Sequence, residues 1–366
     1  MTADGCKAHC HGDPVQATRP MIKTSKSNND IRLASPVRIG VLGAARVATY
    51  ALIEPARADM RAEVVAIAAR DPVRAQLFAE KQGIERVLPS YEALLADAGI
   101  DLVYIATPPS THASLAISAL RGGKHVLVEK PFAMNTSQAA AVIAAARESG
   151  VRVFEAMHAP HHRMFAEIEA TVSSGRLGRI RRIEAHFSTF VPCEVGEFRW
   201  SAARGGGALM DLGVYPLAFC RRLLGEDFSV AGVEAEFKKG VDTRCRIDIC
   251  FGEVPARISF SMIDPSSAWL DITGEDGTLL AENPVAPSLG HCLTETSALG
   301  TWSRSFPAQS SWSSQLAAVI GCLLDDTPFP FSPDDPLASM IALDRIRAHP
   351  RWISAANGSN QVPSPD

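Results

Sequence analysis

The feature that most constrains the fold is a series of short, almost wholly apolar runs that begins abruptly at Val37, each closed by a turn or a helix signal. VRIGVLG (37–43) stops at Gly43, and EVVAIAAR (63–70) follows a stretch, ARVATYALIEPARA, that reads as a helix kinked or ended by Pro55. DPVRAQLFAEKQG opens with Asp then Pro and closes on Gly83, which is helix-start and helix-stop chemistry. Further runs stand at DLVYIAT (101–107), HVLVEK (125–130) and RVFEA (152–156), with helical stretches at 111–121 and 136–149 between them. A strand without polar alternation is buried on both faces. Such strands alternating with helices imply right-handed crossovers and a doubly wound parallel sheet, an α/β domain.

After about residue 157 the rhythm changes. RRIEAHFST (181–189), SVAGVEAEF (229–237), TRCRIDICF (243–251), ARISFSM (256–262), AWLDIT (268–273) and GTLLAE (277–282) are separated mostly by turns, which predicts a large, mostly antiparallel sheet. Helices are expected around 207–224, near 312–325 and at 333–348, the last opened by Ser332-Pro333-Asp334-Asp335. The expected organisation is a flexible N-terminal extension (1–35), a dinucleotide-binding domain (36–157), an α+β substrate-binding and oligomerisation domain (158–350) and a C-terminal tail (351–366). Cys6, His9, Cys10 and His11 lie in the extension without a second ligand pair, so no metal site is expected there.

At 366 residues the chain exceeds one ordinary hydrophobic core, which supports two domains. A net charge of −4 from 36 basic and 40 acidic side chains gives no reason to expect a nucleic acid or an anionic membrane as partner. No apolar run reaches the roughly 20 residues of a membrane-spanning helix. Eight scattered cysteines, none in a C-x-x-C pair, and an N-terminus without an export signal make a reducing cytoplasm the expected compartment.

Gly43-Ala44-Ala45-Arg46-Val47-Ala48 stands at the tip of the first strand, where a Rossmann domain keeps G-x-G-x-x-G/A. The first glycine makes the tight turn, the second admits the pyrophosphate, and the third small residue lets helix pack on strand. Here Ala45 replaces the second glycine, adding one methyl group. Gly43, Ala45, Arg46 and Val47 are thus candidate cofactor residues, with unpaired helix N–H groups facing the phosphates. The second strand ends Ala69-Arg70-Asp71, with Arg74 one turn on. An arginine there suits the 2′-phosphate of NADP, whereas Asp71 is either the helix cap or the acid that would read an NAD ribose. NADP(H) is favoured over NAD(H).

Gly123-Lys124-His125-Val126-Leu127-Val128-Glu129-Lys130-Pro131, the Thr107-Pro108-Pro109 stretch before His112, and Gly205-Gly206-Gly207-Ala208-Leu209-Met210-Asp211-Leu212-Gly213-Val214-Tyr215-Pro216 complete a pattern. The chain from about 37 to 348 resembles the glucose–fructose oxidoreductase / inositol dehydrogenase / MocA (Gfo/Idh/MocA) family. Its triple-glycine segment looks most like the branch holding D-xylose and trans-dihydrodiol dehydrogenases. The resemblance implies an NAD(P)-dependent dehydrogenase or reductase acting on a secondary alcohol or ketone of a sugar, cyclitol or cyclic diol. It places Lys130 beside nicotinamide and substrate, before a proline with a cis bond, and Asp211 and Tyr215 facing the substrate. It adds Thr107, Pro108, His112 and Glu129 to the cofactor contacts, and a homodimer or homotetramer built on the open sheet face.

Oxidising an alcohol sends hydride to the nicotinamide while the hydroxyl proton must leave. Neither Tyr nor Lys is a good base near neutrality unless its surroundings lower its pKa. The expected arrangement has Tyr215 exchanging the proton while Lys130 tunes it and polarises the substrate oxygen, or the reverse. One departure is Glu155-Ala156-Met157-His158-Ala159-Pro160-His161-His162-Arg163, which lacks the branch's usual tyrosine and arginine and adds histidines. His158 and His162 are candidate substrate contacts, alternative proton relays or polar filler. A metal held by them lacks a carboxylate partner, so none is expected. Arg199, Trp200 and Arg204 precede the triple glycine as further substrate-side candidates. The competing readings are a catalytically inactive dinucleotide-binding regulator or scaffold, and a periplasmic enzyme with a tightly held cofactor.

Overall fold

The computed structural model describes residues 35–307 and 309–359; the expected N-terminal extension, but for its last residue, lies outside them. Six parallel strands, β1 (Val37–Leu42), β2 (Ala62–Ala68), β3 (Arg86–Val87), β4 (Leu102–Ile105), β5 (His125–Glu129) and β6 (Val153–Ala156), form one sheet in the order β3-β2-β1-β4-β5-β6. The order reverses between β1 and β4, so a crevice opens there beyond the strands' carboxyl ends. Ile39, Val41, Tyr104, Ile105, Leu127 and Val128 are sealed from solvent, as two-sided burial requires. Only β3 escapes the apolar pattern, being two residues long.

Asp71 caps helix Pro72–Gln82 by accepting from the Val73 and Arg74 amides, and Gly83 ends it in the left-handed conformation. The helix after Gly43 neither ends nor breaks at Pro55. Its middle widens into a π-turn, Thr49–Ile53, and Pro55 follows directly in the α-helical continuation Glu54–Ala58, so the chain passes through the proline with the widened turn before it.

The second sheet holds β7 (Ile180–Ser188), β8 (Ser229–Lys238), β9 (Val241–Phe251), β10 (Val254–Ser261), β11 (Ser267–Gly274), β12 (Gly277–Glu282), β13 (Cys292–Ser297) and β14 (Gly300–Arg304), ordered β14-β13-β12-β11-β7-β10-β9-β8. All neighbours are antiparallel except β7 and β10. The unanticipated β13 and β14 form a polar edge hairpin whose Thr294–Ser303 and Thr296–Thr301 hydroxyl pairs replace apolar alternation.

The break in rhythm near 157 is not a spatial limit. Helix Ser311–Leu324 buries Leu316, Val319 and Ile320 in the same cluster as Ile39, Val41 and Phe154, so the C-terminal half supplies a cover for the parallel sheet. Helix Asp335–Arg347 lies on helix Thr136–Ser149, where Asp344 accepts from the Thr136 amide at 2.8 Å. In place of the start of the expected tail stands a helix, Pro350–Ser359, which buries Trp352 edge-on against Phe237. No helix among the described residues is long and apolar enough to cross a membrane.

Candidate active site

The β1–β4 crevice is lined as a dinucleotide requires. Gly43 has a φ of 104°, and a Cβ there would meet the Ala106 carbonyl oxygen at 2.7 Å, so no other residue fits. Ala45 stands in extended conformation as the cap before Arg46–Ala48, with no side chain competing for the free N–H groups of that turn. Thr107 and Pro108 form the opposite lip, with the Thr107 and Thr111 hydroxyls 2.7 Å apart. At the β2 terminus Arg70 is exposed, and among the described residues neither Arg70 nor Arg74 has an ion-pair partner. With Asp71 committed to its helix cap, Arg70 and Arg74 are the charged side chains left at this strand end.

The Lys130–Pro131 bond is cis, and the lysine leaves the end of β5 for a helix that begins in a π-turn, Leu209–Gly213, and continues as Val214–Leu224. Lys130 Nζ donates to the Asp211 carbonyl oxygen at 2.7 Å and to Asp211 Oδ1 at 2.8 Å. Arg199 Nε donates to Asp211 Oδ2 at 2.7 Å, and its Nη1 reaches Glu197. Burial works to raise the Asp211 carboxyl, but the charges of Lys130 and Arg199 and their hydrogen bonds outweigh it and hold the group below the usual range. Lys130 Nζ also stands 5.3 Å from the centre of the Tyr215 ring. Burial first, then the Glu129 and Asp211 carboxylates, raise the Tyr215 phenol well above its ordinary value. At Tyr215, burial and the carboxylates outweigh any lowering by the neighbouring lysine. The hydroxyl has no hydrogen bond to a described residue.

Asp242, which lies outside every motif, positions this helix. Its buried Oδ2 accepts from the Leu209 amide at 2.6 Å, and Gly207, with φ at 111°, passes so close that a Cβ would strike Asp242 Oδ1.

The departing segment turns through a short 3-10 stretch, Ala159–His161, which sends its histidines to different places. His158 stands edge-on to Tyr215 at 5.7 Å, with Nδ1 2.9 Å from Ser311 Oγ and its ring stacked on Trp312 at 4.3 Å. Burial, then the Lys130 charge, lowers it to about 3, so it is neutral near pH 7. Tyr50 meets Trp312 edge-on at 5.0 Å and extends this aromatic wall. Tyr50, Ser311 and Trp312 carry no motif; only the fold brings them here.

Several candidates have other work. His162 caps helix Arg163–Ser173, its Nδ1 accepting from the Met164 amide, and its Nε2 is buried beside His291. His112 lies with Nδ1 2.9 Å from the Pro131 carbonyl oxygen and Nε2 2.8 Å from that of Thr107, so it stands between the crevice walls. Glu129 is buried and accepts from the Tyr104 hydroxyl. The Trp200 indole N–H is spent on the Val191 carbonyl, and Arg204 donates to the Gly196 carbonyl and lies over Phe198. Among the described residues no group of three His, Cys, Asp or Glu side chains is arranged to hold a metal ion.

Comparison with known proteins bears on this geometry. Residues 37–157 match the model of an oxidoreductase family with an NAD-binding Rossmann fold, and residues 165–280 match the GFO/IDH/MocA C-terminal domain. The chain belongs to the Gfo/Idh/MocA family. It is an NAD(P)-dependent dehydrogenase or reductase. Relatives in the family include the dTDP-3,4-didehydro-2,6-dideoxy-alpha-D-glucose 3-reductase of Streptomyces violaceoruber, 33% identical over 77% of this chain and 84% of that protein. The D-xylose 1-dehydrogenase (NADP(+)) 2 of Haloferax volcanii is 33% identical over 67% of this chain and 75% of the relative. The fold is similar to that of a 3-ketoreductase from Actinomadura kijaniata solved with NADP and TDP-benzene, with a TM-score of 0.80, 29% identity, and coverage of 85% of this chain and 97% of the other.

Proposed function

We propose that the protein reduces a ketone on a sugar ring with NADPH, and runs the reverse oxidation of the secondary alcohol only under alkaline conditions. The observation that carries this reading is the buried Lys130–Asp211 pair beside a Tyr215 held in its neutral form. When bound, the dinucleotide supplies hydride to the carbonyl carbon. Two of the three N–H donors of Lys130 are used on Asp211, which leaves one for the carbonyl oxygen. As negative charge grows on that oxygen, the ammonium stabilises it and Tyr215 delivers the proton. Oxidation needs Tyr215 as a base, and a phenol raised by burial is a poor one at neutral pH. Reduction should therefore stay level from pH 6 to 8 while oxidation climbs with pH; oxidation that peaks at or below neutrality would refute the assignment of Tyr215.

His158, Trp312 and Tyr50 suit the face of a pyranose ring, with Arg199 beside them for a ring hydroxyl. Trp312→Ala should raise KM for the sugar roughly tenfold and change kcat little. The Streptomyces and Actinomadura relatives favour a nucleotide-linked 3-keto-sugar; the Haloferax relative favours a free aldose. A cyclic diol is the third substrate class, favoured by the pig trans-1,2-dihydrobenzene-1,2-diol dehydrogenase, 31% identical over 59% of this chain and 64% of that protein. Titration with NADPH and NADH, then a turnover panel of keto-sugars, aldoses and diols on the same sample, tests the reading. Binding without turnover across that panel would instead support a regulator.

NADPH is the preferred cofactor because Arg70 and Arg74 are free. Arg70→Ser should weaken NADPH binding by roughly 10–100-fold and leave NADH nearly unchanged. A parallel loss for both cofactors would remove Arg70 from phosphate recognition. The protein works in a reducing compartment such as the cytoplasm, as its free Cys220, Cys245 and Cys322 suggest. It assembles as a homodimer or homotetramer through the outer face of the second sheet, which sedimentation would check.

A further inference from the structure

Away from the catalytic group, a cavity of about 470 Å³ runs along β6, the edge strand of the parallel sheet. It lies between helix Thr136–Ser149 and the proline-rich stretch 328–336. Its volume falls within the roughly 300–1,000 Å³ of small-molecule sites. Ile143, Ala146, Phe154, Phe329 and Phe331 make most of its wall apolar.

Its polar end is unfinished. Glu155, only 6% exposed, lines the cavity; Oε1 accepts from the Phe132 amide at 2.9 Å, and Oε2 has no partner. Arg222 also lines it. One Nη donates to Asp335 at 2.7 Å and the guanidinium lies 3.5 Å from the centre of the Phe331 ring, yet its buried Nε has no partner either. Behind the aromatic wall His161, packed on Phe329 and Phe331, leaves a third polar atom, Nε2, buried and unpaired. Native proteins rarely leave such atoms unpaired, and each one asks for a bound group. A water satisfies a polar end, but an apolar wall of this extent does not hold a water column.

The donors decide the ligand's chemistry. Burial, with the nearby Asp335 charge, lifts Glu155 to about 8 against the pull of Arg221 and Arg222, so the carboxyl holds its proton at neutral pH. With Oε1 engaged as an acceptor, that proton sits on Oε2. Arg222 Nε–H is a donor in any state. Glu155 and Arg222 both line the cavity beside Asp335, and their two unpaired donors call for an acceptor.

We propose that this cavity is a second ligand site, which takes a small monocarboxylate with an aromatic body. The carboxylate accepts from Arg222 Nε and from Glu155, and the ring lies among Phe154, Phe329 and Phe331. The site also touches the reaction centre's scaffold, because the carboxyl that grips the ligand is the one that holds the peptide following Lys130–Pro131.

The test is a calorimetric titration of the NADPH-loaded full chain with 4-phenylbutyrate, beside 4-phenyl-1-butanol and butyrate. Saturable one-to-one binding of phenylbutyrate is expected, with the alcohol and butyrate each weaker by roughly tenfold or more. Glu155→Gln, which keeps both the acceptor for Phe132 and a donor, should retain binding. Arg222→Leu should lose roughly tenfold or more. Ala146→Phe fills the cavity without removing a polar group, so it carries the test if Arg222→Leu does not fold. Equal affinity for the alcohol, unchanged affinity in Ala146→Phe, or no saturable binding of phenylbutyrate would each overturn the site. Lys130→Met should still bind phenylbutyrate, so the result is independent of turnover.

Discussion

Lys130→Met is expected to lower turnover by about 10²–10⁴-fold while NADPH affinity stays within about threefold of the unsubstituted protein. The methionine keeps the length and apolar stem of the lysine and removes the charge and its donors. Asp211 then retains Arg199 Nε at 2.7 Å, so its carboxylate is not left buried and unpaired, and the π-turn that carries it should persist. What disappears is the cation whose remaining donor serves the carbonyl oxygen in the proposed mechanism. Tyr215→Phe should cost a similar factor, because it removes the proton and leaves Lys130 in place. The double variant should lose much less than the product of the two, since both residues act on one oxygen in one step. Single-turnover rates with saturating NADPH measure all three. Near-normal turnover in either single variant would take that residue out of the mechanism, and strict additivity would mean that the two act in separate steps.

The same residues mark how far the sequence could be read. The apolar runs of β1, β2, β4, β5 and β6 were legible because burial on both faces leaves no polar alternation. Helix 136–149 was read at the bounds the structure shows, where Asn135 caps it and Gly150 ends it. The edge pair β13 and β14 was not, since a strand exposed on its edge carries threonine and serine in place of a pattern. Lys130, Asp211 and Tyr215 lie in two spaced motifs, so they could be named before any coordinates.

Trp312, Ser311 and Tyr50 could not. The contact of His158 with Ser311 spans 153 positions, and nothing local marks either partner. His158 and His162 are four positions apart, and by sequence alone they had the same standing. The Ala159–His161 turn sends one to the cleft and the other to a helix cap. Trp200 shows the converse. An aromatic beside the glycine motif offers an indole N–H to a substrate, and in the fold that N–H is used on Val191.

Glu155→Gln is expected to stabilise the protein increasingly as pH rises from 5 to 9. The carboxyl is buried, hydrogen-bonded on one oxygen only, and raised from 4.5 to about 8, chiefly by burial and next by Asp335. In the unfolded chain it loses its proton near 4.5, whereas in the folded protein it keeps it to about 8. Between those values the native state binds more protons, so stability falls with rising pH. The full difference, about 1.4 kcal/mol per unit, comes to about 5 kcal/mol above pH 8. The amide does not titrate, still accepts from Phe132, and brings unpartnered N–H groups at a cost of about 1–3 kcal/mol. The variant should thus match or fall slightly below the parent at pH 5 and exceed it by about 2–4 kcal/mol at pH 9. Urea unfolding at pH 5, 7 and 9 measures this, and taking the difference between the two proteins cancels every other titrating group. A difference that does not change with pH would show that Glu155 ionises normally in the native state. Its neighbours Arg221 and Arg222 would then be compensating the charge, and the cavity beside it would present a carboxylate in place of a donor.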